Sequence, residues 1–284
     1  MKRFLIAALL LLILANALAE PANSSAYTLE EKPLARDGQK LYGKLYLPED
    51  AAPPLPLVIL SHGLGSNHTI MEPYAEYFAE NGIAAYVFDY IGGSEVSLSD
   101  GTMTDMSILT EAEDLGVILD HFLTDERFER DSVFLFGGSQ GGFVSAYVAG
   151  KRPGDVAGLV LLYPAFNLQD ICRKMVEEGG VPDSAWIGEH TVGSIYFKDM
   201  LTFDIYEVMK QYTGPALLFH GTADAYVPVE YSRKATDSLP NSALVIVEGA
   251  NHGFKGADFE RVADQSTQFV EAILEEASSM DNAA

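Results

Sequence analysis

Val133-Phe134-Leu135-Phe136-Gly137-Gly138-Ser139-Gln140-Gly141-Gly142-Phe143-Val144 decides the fold. Four apolar residues are too few for a helix and suit a strand buried on both faces. They run into Gly-x-Ser-x-Gly, and a helical pattern follows. A strand–turn–helix of this kind forces Ser139 into a strained backbone conformation that lifts its hydroxyl above the sheet. Positions 137 and 141 must be glycine, because side chains there would collide with the adjoining helix and strand. A phosphate-binding loop would instead end in Gly-Lys-Ser/Thr, which is absent here.

Working outward, five more short apolar runs alternate with helical stretches: Leu57–Leu60, Ala84–Phe88, Val156–Leu162, Ala216–Phe219 and Leu244–Val247. Between them, Ile108, Ala112, Leu115, Leu119 and Phe122 recur at helical spacing, as do Phe259, Val262, Phe269, Val270, Ile273 and Leu274 near the end. Strands alternating with helices predict a mostly parallel, doubly wound α/β sheet with right-handed crossovers. Tyr27 to Leu47 reads as a hairpin about the turn pair Asp37-Gly38. Phe166 to Tyr212 breaks the rhythm. It has no good strand, holds the sole tryptophan, Trp186, and reads as a small cap inserted over the sheet.

A serine hydroxyl attacks a carbonyl only when a base takes its proton and an acid orients that base. In this architecture the chain order is Ser, acid, His. Asp224 follows the strand Ala216–Phe219, and His252 follows Leu244–Val247. Both loops leave the C-terminal edge of the sheet, where open α/β folds gather their ligand-binding groups. Ser139, Asp224 and His252 are therefore the expected catalytic residues. The backbone N–H groups of Leu64, in the loop after the first core strand, and of Gln140, after the serine, are the expected oxyanion hole.

The remaining acids and histidines take plainer parts. Asp89 ends an early strand and reads as a brace for the loop Tyr90–Ser94; Asp170 falls within the cap, on a helix. His62 reads as loop-shaping and His220 as structural. His68, His121 and His190 stand apart from any ligand-spaced cluster, so no metal and no cofactor is expected.

From about Tyr42 to Leu274 the chain resembles the α/β-hydrolases. Within them it resembles the bacterial cinnamoyl/feruloyl esterase-like branch, through Phe88-Asp89-Tyr90, Gly138-Ser139-Gln140-Gly141-Gly142, Phe197-Lys198-Asp199, Ile205-Tyr206-Glu207-Val208 and His220-Gly221-Thr222-Ala223-Asp224. Gly138 replaces the branch's histidine before the nucleophile, and Ile91-Gly92-Gly93-Ser94 replaces its Gly-His-Gly. The resemblance implies ester hydrolysis through an acyl-enzyme on an α/β-hydrolase fold. Hydroxycinnamate esters are one candidate substrate; a short-chain acyl esterase, a peptidase-like serine hydrolase and a non-catalytic binding protein are the alternatives. A halide or epoxide hydrolase would need aspartate at 139. The cap aromatics Phe166, Trp186 and Tyr196 are the candidate substrate-binding residues.

The 284 residues include 18 Lys and Arg against 41 Asp and Glu, a formal charge of −23, and a polyanion such as nucleic acid would be repelled. The expected partner is a small-molecule or polysaccharide-linked ester, with oligomeric state left open. One cysteine, Cys172, excludes an intramolecular disulfide. Lys2-Arg3, the apolar run Phe4–Leu14 and Ala17-Leu18-Ala19 form a charged, an apolar and a small-residue segment in the order of a secretory signal peptide. Residues 1–19 are thus expected to be cleaved, leaving one domain over 20–284 with a cap at about 166–212, no stable membrane anchor, and a secreted or periplasmic location. Amino-terminal sequencing of the protein exported by a bacterial host should read Glu20-Pro21-Ala22; a chain retaining Met1 or starting elsewhere contradicts the cleavage site.

Overall fold

The computed structural model describes residues 26–281; the segment read as a signal peptide lies outside them. Eight strands form one sheet in the order β1-β4-β6-β5-β7-β8-β11-β12. They are β1 (Tyr27–Glu31), β4 (Gly43–Pro48), β5 (Leu55–Ser61), β6 (Ala84–Phe88), β7 (Phe128–Gly138), β8 (Gly158–Leu162), β11 (Ala216–Gly221) and β12 (Ser242–Val247). The first two join antiparallel, Tyr27 opposite Pro48, and all pairs from β6 to β12 are parallel. The Asp37-Gly38 turn closes a smaller hairpin, β2 (Leu34–Arg36) with β3 (Gln39–Leu41), nested inside the expected one. Both turn residues have positive φ, 51° and 82°, as a two-residue primed turn demands.

Five of the six apolar runs are buried on both faces, and alternate residues feed two cores; the edge strand β12 buries Val245 and Val247 and leaves Leu244 and Ile246 half-buried. Leu57, Ile59, Val133 and Leu135 face one side, against α2 (Ile108–Phe122) and α3 (Gln140–Lys151). Val58, Leu60, Phe134 and Phe136 face the other, against α1 (Glu72–Glu80) and α8 (Ala257–Asp281). Burial of such side chains is worth about 1.5–3 kcal/mol each, so a one-residue slip of register would still bury apolar side chains. The parallel ladder and the glycine contacts of the elbow set the register instead. Among the described residues, no helix is long and apolar enough to cross a membrane.

The cap departs from expectation. It holds α4 (Asn167–Gly179), α5 (Ser194–Met200) and α6 (Ile205–Met209), but also a hairpin, β9 (Ser184–Ile187) with β10 (His190–Gly193). Only Ile187, Val192 and Gly193 of the hairpin are buried, so its strands lack an apolar signature. Gly188, at φ 59°, makes the two-residue turn possible. The remaining helix, α7 (Glu230–Ser238), follows β11. Ser107 ties cap to body: its Oγ accepts from the N–H of Leu109 and Thr110 at the start of α2, and donates to Asp199 of α5 at 2.5 Å.

Two carboxyl groups of α2 are buried. Asp114 meets Arg36 Nε at 2.6 Å and accepts from the Ile91 N–H, yet burial still carries its pKa up to about 7. Glu111 is 1% exposed, and burial holds its carboxyl well above the usual range. The folded state therefore keeps protons that the unfolded chain has released. Their contribution to stability is complete below about pH 4 and is lost as pH rises toward the folded-state values. Glu111→Gln cannot lose such a proton. Urea unfolding at pH 5 and pH 8 should show the variant gaining stability relative to wild type as pH rises, by up to about 1.4 kcal/mol per unit. Parallel curves would mean that Glu111 is ionised in the folded protein.

Candidate active site

Ser139 sits between β7 and α3 at φ 55°, ψ −121°, a conformation side chains rarely adopt. Hydrogen bonds over-determine it. Its N–H donates to Leu162 O at 2.9 Å, and its carbonyl accepts from Ala165 N at 3.0 Å and Phe143 N at 3.2 Å. Glycine is enforced on both sides: a Cβ at 137 would lie 2.3 Å from Gly141 O, and one at 141 would lie 2.3 Å from Ser61 O.

The loops after β11 and β12 bring two partners to this hydroxyl. His252 Nε2 lies 3.0 Å from Ser139 Oγ, and His252 Nδ1 lies 2.7 Å from Asp224 Oδ2. An Nδ1–H donating to the carboxylate leaves Nε2 free to accept the serine proton. Tyr163 packs on one side of the imidazole, ring centroids 4.5 Å apart, and Tyr226 on another at 5.5 Å. Asp224 is fully enclosed. Burial opposes its charge, but hydrogen bonds from His220, His252 and the Val227 N–H outweigh that and hold the carboxyl far below the usual range. Its Oδ1 also accepts from the Tyr226 N–H. A hydroxyl, imidazole and enclosed carboxylate in this series can perform nucleophilic attack with general-base assistance.

Gln140 opens α3, so its N–H is among those at a helix start without an intrahelical acceptor. Leu64 lies in the loop after β5, where a Cβ on Gly63 would come 3.1 Å from Ser139 Cβ. Gln140 thus adjoins the serine in sequence, and Gly63, which precedes Leu64, packs against it.

A cavity of about 330 Å³ opens over Ser139 and His252. Leu64, Leu168, Ile171, Ile187 and Val227 supply an aliphatic wall. Asn167, Glu189, His190 and Tyr226 add polar groups. None of the three expected substrate-binding aromatics lines it. Trp186 points outward, 68% exposed, because in β9 its neighbour Ile187 takes the inward face. Phe166 is buried in the core against Phe143 and Tyr206. Tyr196 is fully buried and donates to the Gln140 side chain. His190, set aside by sequence, does line the cavity, its ring occupying the space that a side chain on Gly65 would need. A Gly-x pair between His190 and the short Ser184–Ile187 run was the available signal.

The other acids and histidines find separate partners. Asp89 does not brace Tyr90–Ser94; it accepts from His68 N–H, His68 Nδ1 and the Leu98 N–H, at 2.6, 2.8 and 2.7 Å. Asp114 and His62 hold that loop instead, taking the N–H groups of Ile91 and Tyr90. Asp170, on α4, accepts from Tyr231. His220 bonds Ser232 and the Val227 carbonyl, and its Nε2 also lies 3.4 Å from Asp224 Oδ2, so it supports the acid of the series. Among the described residues, no group of three or more His, Cys, Asp or Glu converges as a metal site would require.

Comparison with known proteins agrees with this architecture. A family model described as serine aminopeptidase, S33, matches residues 52–199, and one for TAP-like proteins matches 203–272. The uncharacterised protein YfhR of Escherichia coli is 27% identical over 248 residues, covering 84% of this chain and 79% of its own. Human monoglyceride lipase is 26% identical over 259 residues, covering 76% and 80%. The structure of Est1E from Butyrivibrio proteoclasticus with ferulic acid superposes with a TM-score of 0.75 at 24% identity, over 86% of this chain and 98% of that one. The chain is an α/β-hydrolase and belongs to the serine aminopeptidase S33 family.

Proposed function

We propose that this chain is an exported serine hydrolase of carboxylic esters. Ser139 attacks the ester carbonyl while His252 takes its proton, and Asp224 holds and stabilises the resulting imidazolium. The Leu64 and Gln140 amides receive the negative oxygen of the tetrahedral intermediate. His252 returns the proton to the leaving alcohol, and water then releases the acyl group by the same route. The observation that carries this reading is the unbroken series Ser139–His252–Asp224, at 3.0 and 2.7 Å, beneath a cavity large enough for an acyl chain.

The aliphatic wall favours a small alkyl acyl group. Leu168, Ile171 and Ile187 offer hydrophobic contact, whereas Tyr226 is the one Phe, Tyr or Trp side chain among the lining residues. The structural likeness to Est1E, solved with ferulic acid, favours hydroxycinnamate esters as the second reading. A good aromatic contact adds about 0.5–1.5 kcal/mol beyond area burial, and this cavity has few rings to supply it.

Kinetics with methyl butyrate, methyl ferulate and a dipeptide amide separate these readings. The expected order of kcat/KM is butyrate first; a clear lead for ferulate selects the second reading, and a lead for the amide selects a peptidase. Ser139→Ala and His252→Ala should each lower kcat by at least about 10³-fold, and combining them should cost little more. Asp224→Asn should be nearly as severe, because it misorients the imidazole. Near-normal turnover in Ser139→Ala would overturn the proposal.

A further inference from the structure

The Gln140 side chain is fully buried and held at both ends. Its Oε1 accepts from the Tyr196 hydroxyl at 2.7 Å, and its Nε2 donates to Glu111 Oε2 at 2.9 Å, with Met106 Sδ a further 3.9 Å contact. Tyr196 comes from the cap and Glu111 from the body. None of the three side chains lines the cavity, so this polar chain does not touch substrate. A hydrocarbon residue would fill the same space without desolvating a carboxyl, a carboxamide and a phenol. Their presence needs a reason beyond packing.

The location supplies one. Gln140 follows the strained Ser139, and the peptide between them carries the N–H assigned to the oxyanion hole. A side chain fixed by two hydrogen bonds from separate elements restrains the rocking of that residue, and with it the direction of the N–H. The geometry points to Tyr196 and Glu111 as positioning residues that align the Gln140 amide for the oxyanion, and that make this alignment depend on the cap being seated. The inference rests on the oxyanion role given to Gln140 above. Burial holds the Glu111 carboxyl well above its usual range, which disfavours a negative charge beside the oxygen the clamp serves.

An oxyanion donor acts only within about 2.7–3.1 Å of the developing charge, and its outright loss costs roughly 10²–10³-fold in kcat. Loosening it should cost less and should fall on kcat. The test uses the full chain with Tyr196→Phe, Glu111→Leu and Glu111→Gln, measured with p-nitrophenyl butyrate and normalised to active sites titrated with a fluorophosphonate. Tyr196→Phe and Glu111→Leu are expected to lower kcat about tenfold or more, with KM within about twofold. Glu111→Gln keeps a neutral acceptor for Gln140 and is expected to restore kcat to within about threefold of wild type. A purely structural role would lower Tm while leaving kcat per titrated site unchanged. Tyr196→Phe removes one oxygen and keeps the ring, so it answers the question even where Glu111→Leu fails to fold. Unchanged kcat per site in Tyr196→Phe overturns the inference alone. Failure of the wild-type chain to label at Ser139 overturns the proposed function and this inference together, and the two failures are distinct.

Discussion

The structure depends on holding one residue, Ser139, in a backbone conformation that costs about 1–3 kcal/mol. Most of what stabilises it comes from elsewhere in the chain. The restraint comes from three backbone hydrogen bonds, to Leu162, Ala165 and Phe143, and from the contacts of Gly137 and Gly141 with backbone on either side. Those contacts require β5, β7, β8 and α3 to be in register. The sheet is thus the device that keeps one hydroxyl raised, and its two cores supply the stability that offsets the strain. The loops after β11 and β12 then need only reach the same edge.

This dependence explains which parts were readable from the residues. The glycine pattern and the double-sided apolar runs follow from backbone sterics and burial, both of which leave marks in composition. The meeting of Ser139, Asp224 and His252 was readable because each follows its own strand, and parallel strands end on one edge. The small hairpin at Asp37-Gly38 was visible as a turn pair, although its strands proved shorter and nested.

The cap was less readable, for a physical reason. Burial is non-directional, so aromatic residues near a site do not declare whether they face it. Phe166 and Tyr196 turn into the core, and Trp186 turns outward because its strand neighbour Ile187 takes the inner face. The hairpin Ser184–Gly193 hides because so little of it is buried. The Asp89 carboxylate pairs with His68, 21 residues earlier, a separation that leaves no pattern in sequence. The cavity that results is walled by aliphatic side chains, with His190 and Glu189 among the polar groups that line it. Glu111 escaped notice on an otherwise ordinary amphipathic helix.

The central claim is that Ser139 becomes covalently acylated during turnover. Rapid acid quench of the enzyme with p-nitrophenyl butyrate, followed by peptide mass mapping, tests it most directly. The account predicts a burst of p-nitrophenol stoichiometric with enzyme, and a butyryl group on the peptide carrying Ser139 that is absent when water has been given time to release it. Steady turnover from a Ser139→Ala chain, or an acyl group mapped to any other residue, would contradict the account.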